Sequence, residues 1–369
     1  MKTRDAVLCY QEIQASDKST KTIDLDLVDP VSALCFEFEA VNGTTSNRNN
    51  PLDYCITKIE VVDGSDVLAS LSFDQMQALQ FYKTGKQPQL RLDEQGSQGD
   101  VIGCQLLFGR YLWDREYAMD FRRFKNPQLK ITWDLNAIRA VSAATAIATG
   151  TLKISAWAKV MENGDIVPAK FLMDKLLDSW TGGASGDRRK ELPTDYTFRL
   201  LMLQTYASGM DVDIAVTKLK LTCDTDKFVP LERYTKQYDA EMAQLFGNCV
   251  LWKRAFASNT DIVFLPVFKE PQVRFVVPAT DRRAWYTYCW SGNIYLNLET
   301  LAAVAVTDDQ RVDVLMEGHS LHCTLPIPLG EMEKPDTWFD PTPYRKFELI
   351  LTEASATANS LVAEQVRPF

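Results

Sequence analysis

Apolar residues recur at every second position along most of the chain. The alternation runs through Ile23, Leu25 and Leu27; Leu34, Phe36, Phe38 and Ala40; Leu129, Ile131, Trp133 and Leu135; Leu152, Ile154, Ala156 and Ala158; and, in the second half, Phe198, Leu200 and Met202; Val273, Phe275 and Val277; Tyr286, Tyr288 and Trp290; Ile294, Leu296 and Leu298; Val312, Val314 and Met316; and Phe347, Leu349 and Leu351. A period of two places these side chains on one face of a strand. Turn-rich segments such as "VNGTTSNRNNP" and "DEQGSQGD" separate the runs. Many short, half-buried strands predict an all-β fold of sandwiches or barrels.

Helical spacing is confined to a few short segments. Residues 74–83 carry Met76, Leu79 and Tyr82, and residues 231–246 carry Tyr234, Tyr238, Met242 and Leu245. Both stripes predict a helix with one face on the core. A third short helix is predicted in "PAKFLMDKLLDSW", where Met173, Leu176, Leu177 and Trp180 recur. Gly182, Gly183 and Gly186 follow it and predict a linker between two domains.

The same order of elements occurs on both sides of that linker. "ITKI" at 56–59 and "VTKL" at 216–219 each lead into a further extended stretch and then a helix, and closing strands are predicted in "GTLKISAWAKV" and "RKFELILTEAS". The sequence therefore predicts two tandem β-sandwiches. The expected division is an N-terminal arm at 1–20, a first sandwich at 21–165, a linker with a short helix at 166–190, a second sandwich at 191–354 and a C-terminal arm at 355–369.

Charge and cysteine usage narrow the classes of protein. The net charge is −9 with no long run of Lys or Arg, so no basic face for sequence-neutral nucleic-acid binding is expected. The eight cysteines lack a C-x-x-C motif, and most lie inside apolar strands. We interpret them as buried free thiols, which favours folding in a reducing cytoplasm. The N-terminus does not read as a secretory signal, and no apolar run is long enough to span a bilayer.

The only two histidines, His319 and His322, lie near Glu317 and Cys323 and raise the question of a metal site. Side chains three apart on a strand point to opposite faces, so a shared metal is disfavoured. We predict no metal-binding and no cofactor-binding residues.

Nucleophilic catalysis finds little support in the sequence. A triad needs a base, and neither G-x-S-x-G nor a P-loop is present. A pair of carboxylates for glycoside hydrolysis cannot be identified from the sequence, because their separation in space is not known. Trp133, Trp157 and Trp290 fit positions in the core better than a surface that binds sugar rings. We predict no catalytic residues and a protein that works through its surface.

The stretch "IEVVDGSDVLASLSFDQMQALQFYKTGKQPQL" at 59–90, with "ALQFYKTG" ending its helix, resembles a segment of the double jelly-roll major capsid proteins of tailless icosahedral viruses, the adenovirus hexon and membrane-containing bacteriophage lineage. It is most similar to the branch of the lipid-containing Flavobacterium phages. The close motif covers about thirty residues, and the order of elements extends the resemblance to nearly the whole chain. The resemblance implies two tandem jelly-roll sandwiches with a few short helices.

The resemblance also implies a function. Such a chain is a non-enzymatic major capsid protein that trimerises into pseudo-hexameric capsomers tiling an icosahedral shell over an internal membrane. Its implied partners are two further copies, neighbouring capsomers, minor capsid and vertex proteins and the membrane surface. It would be made in the host cytoplasm and reside in the virion. Segments 41–53, 83–100 and 328–343 would be tower loops or contacts between capsomers.

Two other functions stay open at this stage. A secreted two-domain jelly-roll glycan hydrolase or lectin would carry a signal peptide, disulfides or clustered calcium ligands. A minor vertex or spike component would share the virion but differ in copy number.

Overall fold

The fold was analysed in a computed structural model, which describes residues 2–44, 47, 50–93, 96–137, 147–162, 166–206, 211–257, 262–264, 268–276, 284–290, 293–299 and 310–369. Within these ranges only the backbone is described at 253–257, 262–264, 270–276, 284–290, 293–299 and 310–312.

The first half of the chain folds into a sandwich of two sheets. Its strands are β1 (Lys2–Ile13), β2 (Lys18–Asp24), β3 (Val31–Val41), β4 (Lys58–Asp63), β5 (Asp66–Leu71), β6 (Gln89–Asp93), β7 (Gly99–Leu107), β8 (Pro127–Asp134) and β9 (Lys153–Glu162). Helix α1 (Leu52–Cys55) precedes β4, and helix α2 (Phe73–Thr84) connects β5 to β6. One sheet has the order β1-β9-β3-β7 and the other β2-β8-β4-β5.

The second half contains a sandwich and an insertion. The sandwich strands are β10 (Lys170–Thr181), β11 (Gly186–Leu192), β12 (Phe198–Tyr206), β13 (Val216–Cys223), β14 (Phe228–Tyr234), β21 (Thr324–Pro328), β22 (Phe347–Glu353) and β23 (Ala358–Pro368). Helices α3 (Val212–Ala215) and α4 (Thr235–Phe246) flank the β13–β14 hairpin. The insertion between α4 and β21 holds β15 (Cys249–Ala257), β16 (Ile262–Phe264), β17 (Lys269–Val276), β18 (Ala284–Trp290), β19 (Asn293–Glu299) and β20 (Gln310–His319).

The two sandwiches have the same strand order. Each sandwich has eight strands when β6 and the insertion are left out. Numbered 1 to 8 along the chain, these strands form one sheet of order 1-8-3-6 and another of order 2-7-4-5 in both halves. This is the jelly-roll arrangement, so the predicted all-β fold of two tandem jelly rolls with a few short helices is confirmed. The predicted internal repeat is β4–β5–α2 in one half and β13–β14–α4 in the other.

The sheets continue from one sandwich into the other. A parallel bridge between Ser70 of β5 and Lys175 of β10 joins two four-stranded sheets into one of eight strands. In a second eight-stranded sheet, β6 pairs with β7 and, in parallel, with β15 of the insertion. The larger apolar core also crosses the boundary, since Leu200 and Met202 of β12 pack with the residues of the first sandwich. A smaller core fills the second sandwich.

The segment predicted as a linker helix is a pair of strands, so that prediction is wrong. Residues of "FLMDKLLDSWT" form β10, which pairs with β23 along its whole length and lies between the two sandwiches. Because apolar residues are buried on both of its faces, their spacing imitates that of a helix. The Gly-rich stretch is the turn into β11, and a Cβ on Gly182 would lie 2.6 Å from the Ser355 carbonyl oxygen.

The two predicted terminal arms are strands as well. Residues assigned to an arm at 1–20 form β1 and the start of β2, and β1 pairs with β9. Residues 358–368 of the predicted C-terminal arm form β23, an internal strand between β10 and β12. The segment "RKFELILTEAS" therefore holds the seventh strand, not the closing strand.

Successive antiparallel strands run between two ends of the molecule. At one end Lys2 pairs with Glu162 and Lys170 pairs with Pro368, so both chain termini flank the connection between the sandwiches. We call this the terminal end. The strands β5 and β14 run to the opposite end, where the helices α2 and α4 begin. We call this the insertion end.

Local sequence explains the limits of α2. Ser72 and Gln75 form a reciprocal capping box at its start, and Gly85 ends it with a left-handed φ of 63°. Helix α4 begins at Thr235, later than the predicted 231, because residues up to Tyr234 pair with β13. Of its predicted stripe, Tyr238 and Met242 are buried, whereas Tyr234 and Leu245 are 62% and 61% exposed.

Candidate functional site

Four charged side chains lie buried where α2 meets the second sandwich. Lys83 Nζ, on the last turn of α2, is 2.6 Å from Asp174 Oδ2 and 2.7 Å from Glu364 Oε1. Arg199 Nη1 donates to both oxygens of Glu364, at 2.9 and 3.1 Å. All four side chains are at most 2% exposed. We call these residues the junction cluster; it brings two basic and two acidic side chains together.

The carboxylates of the junction cluster differ in their pKa values. Burial raises the pKa of Asp174 to about 7, although Lys83 opposes the shift. Burial would also raise the pKa of Glu364, but Arg199 and Lys83 together outweigh it and hold that pKa below its ordinary value. Glu364 is thus the firmly ionised member, and Asp174 is the member that titrates near neutrality.

A second set of polar contacts joins α2 to the same sheet. Gln75 Nε2 donates to Gln204 Oε1 at 3.0 Å and to Ser360 Oγ at 2.9 Å, and Gln204 Nε2 donates to Asp74 Oδ2 at 2.7 Å. Further along the helix the Tyr82 hydroxyl is 2.8 Å from that of Thr324. These bonds satisfy buried polar groups on both sides and fix the register of α2 on the second sandwich.

Sequence analysis missed the junction cluster, although a signal for it exists. Asp174, Arg199 and Glu364 each interrupt an apolar strand run, in "FLMDKLL", "FRLLML" and "LVAEQV". A charged residue inside a buried strand needs a partner, yet the sequence alone does not tell which one.

The structure separates the two histidines that raised the question of a metal. His319 Nε2 is 3.3 Å from Asp239 Oδ2 of α4, a carboxylate that also contacts Lys269 Nζ at 2.8 Å. His322 Nε2 is instead 2.8 Å from Gln77 Oε1 of α2. Each ring belongs to a different network. Among the described residues, no group of three or more His, Cys, Asp or Glu side chains is arranged to hold a metal ion.

The predicted burial of the cysteines holds for most of them. Six of the seven described thiols are buried, and Cys323 is half-buried. Burial raises the pKa of Cys35 and of Cys249 to about 12, so these thiols are protonated and unreactive at neutral pH. Cys289 lies outside the residues whose side chains are described.

Tryptophan burial is less uniform than expected. Trp133 lies in the core, as predicted, but Trp157 is half-buried on the outer face of the sheet β1-β9-β3-β7. Its strand neighbours in register are Val7 and Cys35. The side chain of Trp290 lies outside the described part.

Two clefts open on the described surface. One, of about 320 Å³, lies between the sandwiches beside Tyr54, Asp74 and Tyr206. The other, of about 470 Å³, is lined by the aromatic rings of Phe228, Phe339 and Tyr344. Neither lining includes a histidine, cysteine, lysine or arginine side chain. No helix in the described ranges has the length and apolar character to cross a membrane.

The complete chain superposes on viral capsid proteins of known structure. The major capsid protein of STIV aligns with a TM-score of 0.61 and 9% identity over 99% of this chain and 96% of that one. The major capsid protein P2 of bacteriophage PM2 aligns with a TM-score of 0.55 and 9% identity over 100% and 98%. The capsid of PBCV-1 gives a TM-score of 0.55 and 9% identity over 99% and 93%. The chain has the double jelly-roll fold of these capsid proteins.

This double jelly-roll chain stands apart from them in sequence. No protein-family model matches it, and no curated protein sequence does. The likeness is therefore one of fold, and it extends over more than nine-tenths of both chains in each comparison. The junction cluster is one of the contacts between the two jelly rolls of this chain, together with the shared sheet and the shared apolar core.

Proposed function

We propose that this protein is a major capsid protein that trimerises into pseudo-hexameric capsomers tiling an icosahedral viral shell. The observation that carries the proposal is the repetition of one jelly-roll strand order in two fixed sandwiches, in a chain superposing end to end on capsid proteins. Three copies place six similar wedges around one axis, and a heterologous interface that closes after three steps forms such a ring.

The arrangement of the sandwiches supports closure. The sandwich sheets end at β1 and β2 on one side of the chain and at β14 and β21 on the other, and β11 is a further terminal strand at the boundary between the sandwiches. Because these edges lie on opposite sides of the molecule, head-to-tail association leaves no sandwich edge of this kind uncovered in the ring. Covering such edges also protects a protein made in large amounts from aggregation.

The proposal extends to location and partners. The protein would be made in the host cytoplasm and reside in the virion shell, with neighbouring capsomers and minor capsid and vertex proteins as partners. An internal membrane would be met at a surface only. The segments 41–53, 83–100 and 328–343 remain candidates for contacts between capsomers. We also propose that the two sandwiches divide between β9 and β10, close to the predicted end of the first sandwich at 165. No catalytic, metal-binding or cofactor-binding role, and no specific nucleic-acid binding, forms part of the proposal.

The solution mass of the purified protein tests the proposal. Light scattering should give three times the 41.8 kDa chain mass, and negative-stain images of the same peak should show a roughly hexagonal outline. A monomer that also fails to appear in particles on co-expression with its neighbouring genes would contradict it. Glycan hydrolysis or glycan binding by that monomer would instead favour an enzyme or lectin.

A further inference from the structure

The helices α2 and α4 occupy equivalent places in the two sandwiches. Each has 12 residues and follows the fifth strand of its sandwich. Equivalent positions are buried in the two helices: Phe73 and Met76 of α2 correspond to Thr235 and Tyr238 of α4, and all four side chains are buried. The two helices therefore pack on their own sandwiches with the same face.

A second face differs between them. Residues 75, 78, 79 and 82 of α2 and the Lys83 side chain are buried, whereas residues 237, 240, 241, 244 and 245 of α4 are exposed. The spacing i, i+3, i+4, i+7 and i+8 makes each set one continuous stripe on its helix. On α2 this stripe contacts the second sandwich through Gln75, Tyr82 and Lys83. No other sandwich in the described part of the chain covers the equivalent stripe on α4.

We propose that the exposed stripe of α4, formed by Gln237, Ala240, Glu241, Gln244 and Leu245, docks on the outer face of strands β1, β9 and β3 of a second copy of this chain. These strands are the first, eighth and third of their sandwich, as β10, β23 and β12 are of theirs. Helix α2 already lies on the latter three. The inference rests on the proposed trimer and names the surfaces that close it.

The chemistry of the two surfaces agrees with this pairing. Lys83 on α2 corresponds to Leu245 on α4, which is 61% exposed. The charged residue meets a row of carboxylates, Asp174 beside Glu364 in register. On the outer face of β1 and β9 stands an apolar row, Val7 beside Trp157 in register, and Val7 is 68% exposed. Charge thus meets charge within the chain, whereas between copies the exposed Leu245 would meet the apolar pair Val7 and Trp157.

The strand edges lead to the same pairing. Within the chain, β5 at the edge of the first sandwich lies beside β10 in parallel. The equivalent edges for a contact between copies are β14 and β1, and both are terminal strands of their sheets. Repeating the internal contact once more brings β14 beside β1 of the next copy and places α4 over that copy's sheet.

Three single substitutions on the full-length protein test the inference by light scattering. Leu245→Asp and Val7→Asp place a charge on either side of the predicted contact, and we expect each to reduce the mass from trimer to monomer. Val28→Asp is the matched control, because Val28 is 62% exposed but lies between β2 and β3 at the terminal end. It should remain a trimer. Since all three side chains are exposed, each variant should keep the circular dichroism spectrum of the wild-type chain.

The outcomes separate the inference from the proposed function. A trimer that survives Leu245→Asp overturns the role of α4, and one that survives Val7→Asp overturns the receiving sheet; in both cases the capsid proposal stands. Loss of the trimer in Val28→Asp as well would show that any added charge dissociates it and would overturn the assignment. A wild-type chain that never associates overturns both.

Discussion

At the scale of single residues, the junction cluster is the least expected feature of the molecule. A buried ion network adds little stability over an apolar replacement of the same shape, but removing one member leaves an uncompensated charge. We expect the cluster to favour one arrangement of the two sandwiches, because the buried Lys83 ammonium needs Asp174 and Glu364 beside it. The cluster thereby fixes how the two sandwiches sit on each other.

Replacing Lys83 by Met should destabilise the protein strongly. The substitution leaves Asp174 and Glu364 with one cation between them, and breaking a buried pair in this way costs about 3–5 kcal/mol. Urea unfolding monitored by tryptophan fluorescence measures the loss. Lys86→Met, two residues beyond the helix at an exposed position, is the control and should change stability by less than about 0.5 kcal/mol. Equal effects of the two would argue against the cluster.

Asp174 should make stability depend on pH near neutrality. Its pKa is raised from 3.8 to about 7 in the folded protein, so the folded state binds the proton more tightly than the unfolded state does. The stabilisation is therefore full below pH 4 and is lost as the pH rises through 7. We expect Asp174→Asn, which stays neutral, to gain in melting temperature relative to wild type between pH 5 and pH 8. A relative loss over that interval would show that the ionised form is preferred.

At the scale of elements, alternation identified strands in both sandwiches, whereas β10 was predicted as a helix and β1, β11 and β23 were assigned to arms or the linker. Strands β3, β8 and β9 alternate because one face meets the core, and α2 is bounded by a capping box and Gly85. Strand β10 lies between two sandwiches, so its pattern resembles that of a helix. The insertion strands β17 to β20 were predicted from alternation, whereas β15 and β16 were not, and nothing local reveals that the insertion interrupts the second sandwich. Likewise, the partners of Asp174 and Glu364 depend on chain contacts that no local pattern records.

The buried face of α4 should be essential for folding. Tyr238 and Met242 are each 6% exposed and pack in the core of the second sandwich. Replacing both by Asp buries two charges without partners, and we expect the chain to become insoluble. The control is the double variant Gln237→Asp and Gln244→Asp on the exposed stripe of the same helix, which should stay soluble. A soluble, normally melting Tyr238 and Met242 variant would contradict the packing of α4.

At the scale of the whole molecule, the two sandwiches form one cooperative unit. Two eight-stranded sheets and the larger core cross the boundary between them. Each sandwich would lose the part of its buried surface that lies in the shared core if the other unfolded. The two sandwiches are thus parts of one folded body and not two independent domains joined by a linker.

Calorimetry should accordingly show a single unfolding transition under conditions where the chain is monomeric. The calorimetric and van't Hoff enthalpies should agree, which is the test of two-state behaviour. The Lys83→Met variant should lower the temperature of that transition and leave it single. Two resolved transitions in the wild-type chain would mean that the sandwiches unfold separately.

The position of the chain termini should allow the two sandwiches to be exchanged in their order along the chain. Lys2 pairs with Glu162 just before the connection, and the amide of Phe369 donates to the Ala169 carbonyl just after it. A circularly permuted chain that starts at 166, joins the old termini through a short Gly/Ser linker and stops at 162 would keep every strand pair. We expect it to fold with the circular dichroism spectrum of the parent, whereas loss of that spectrum would show that folding requires the native order of synthesis. Permuted in this way, the free ends would again emerge together, at the terminal end of the molecule.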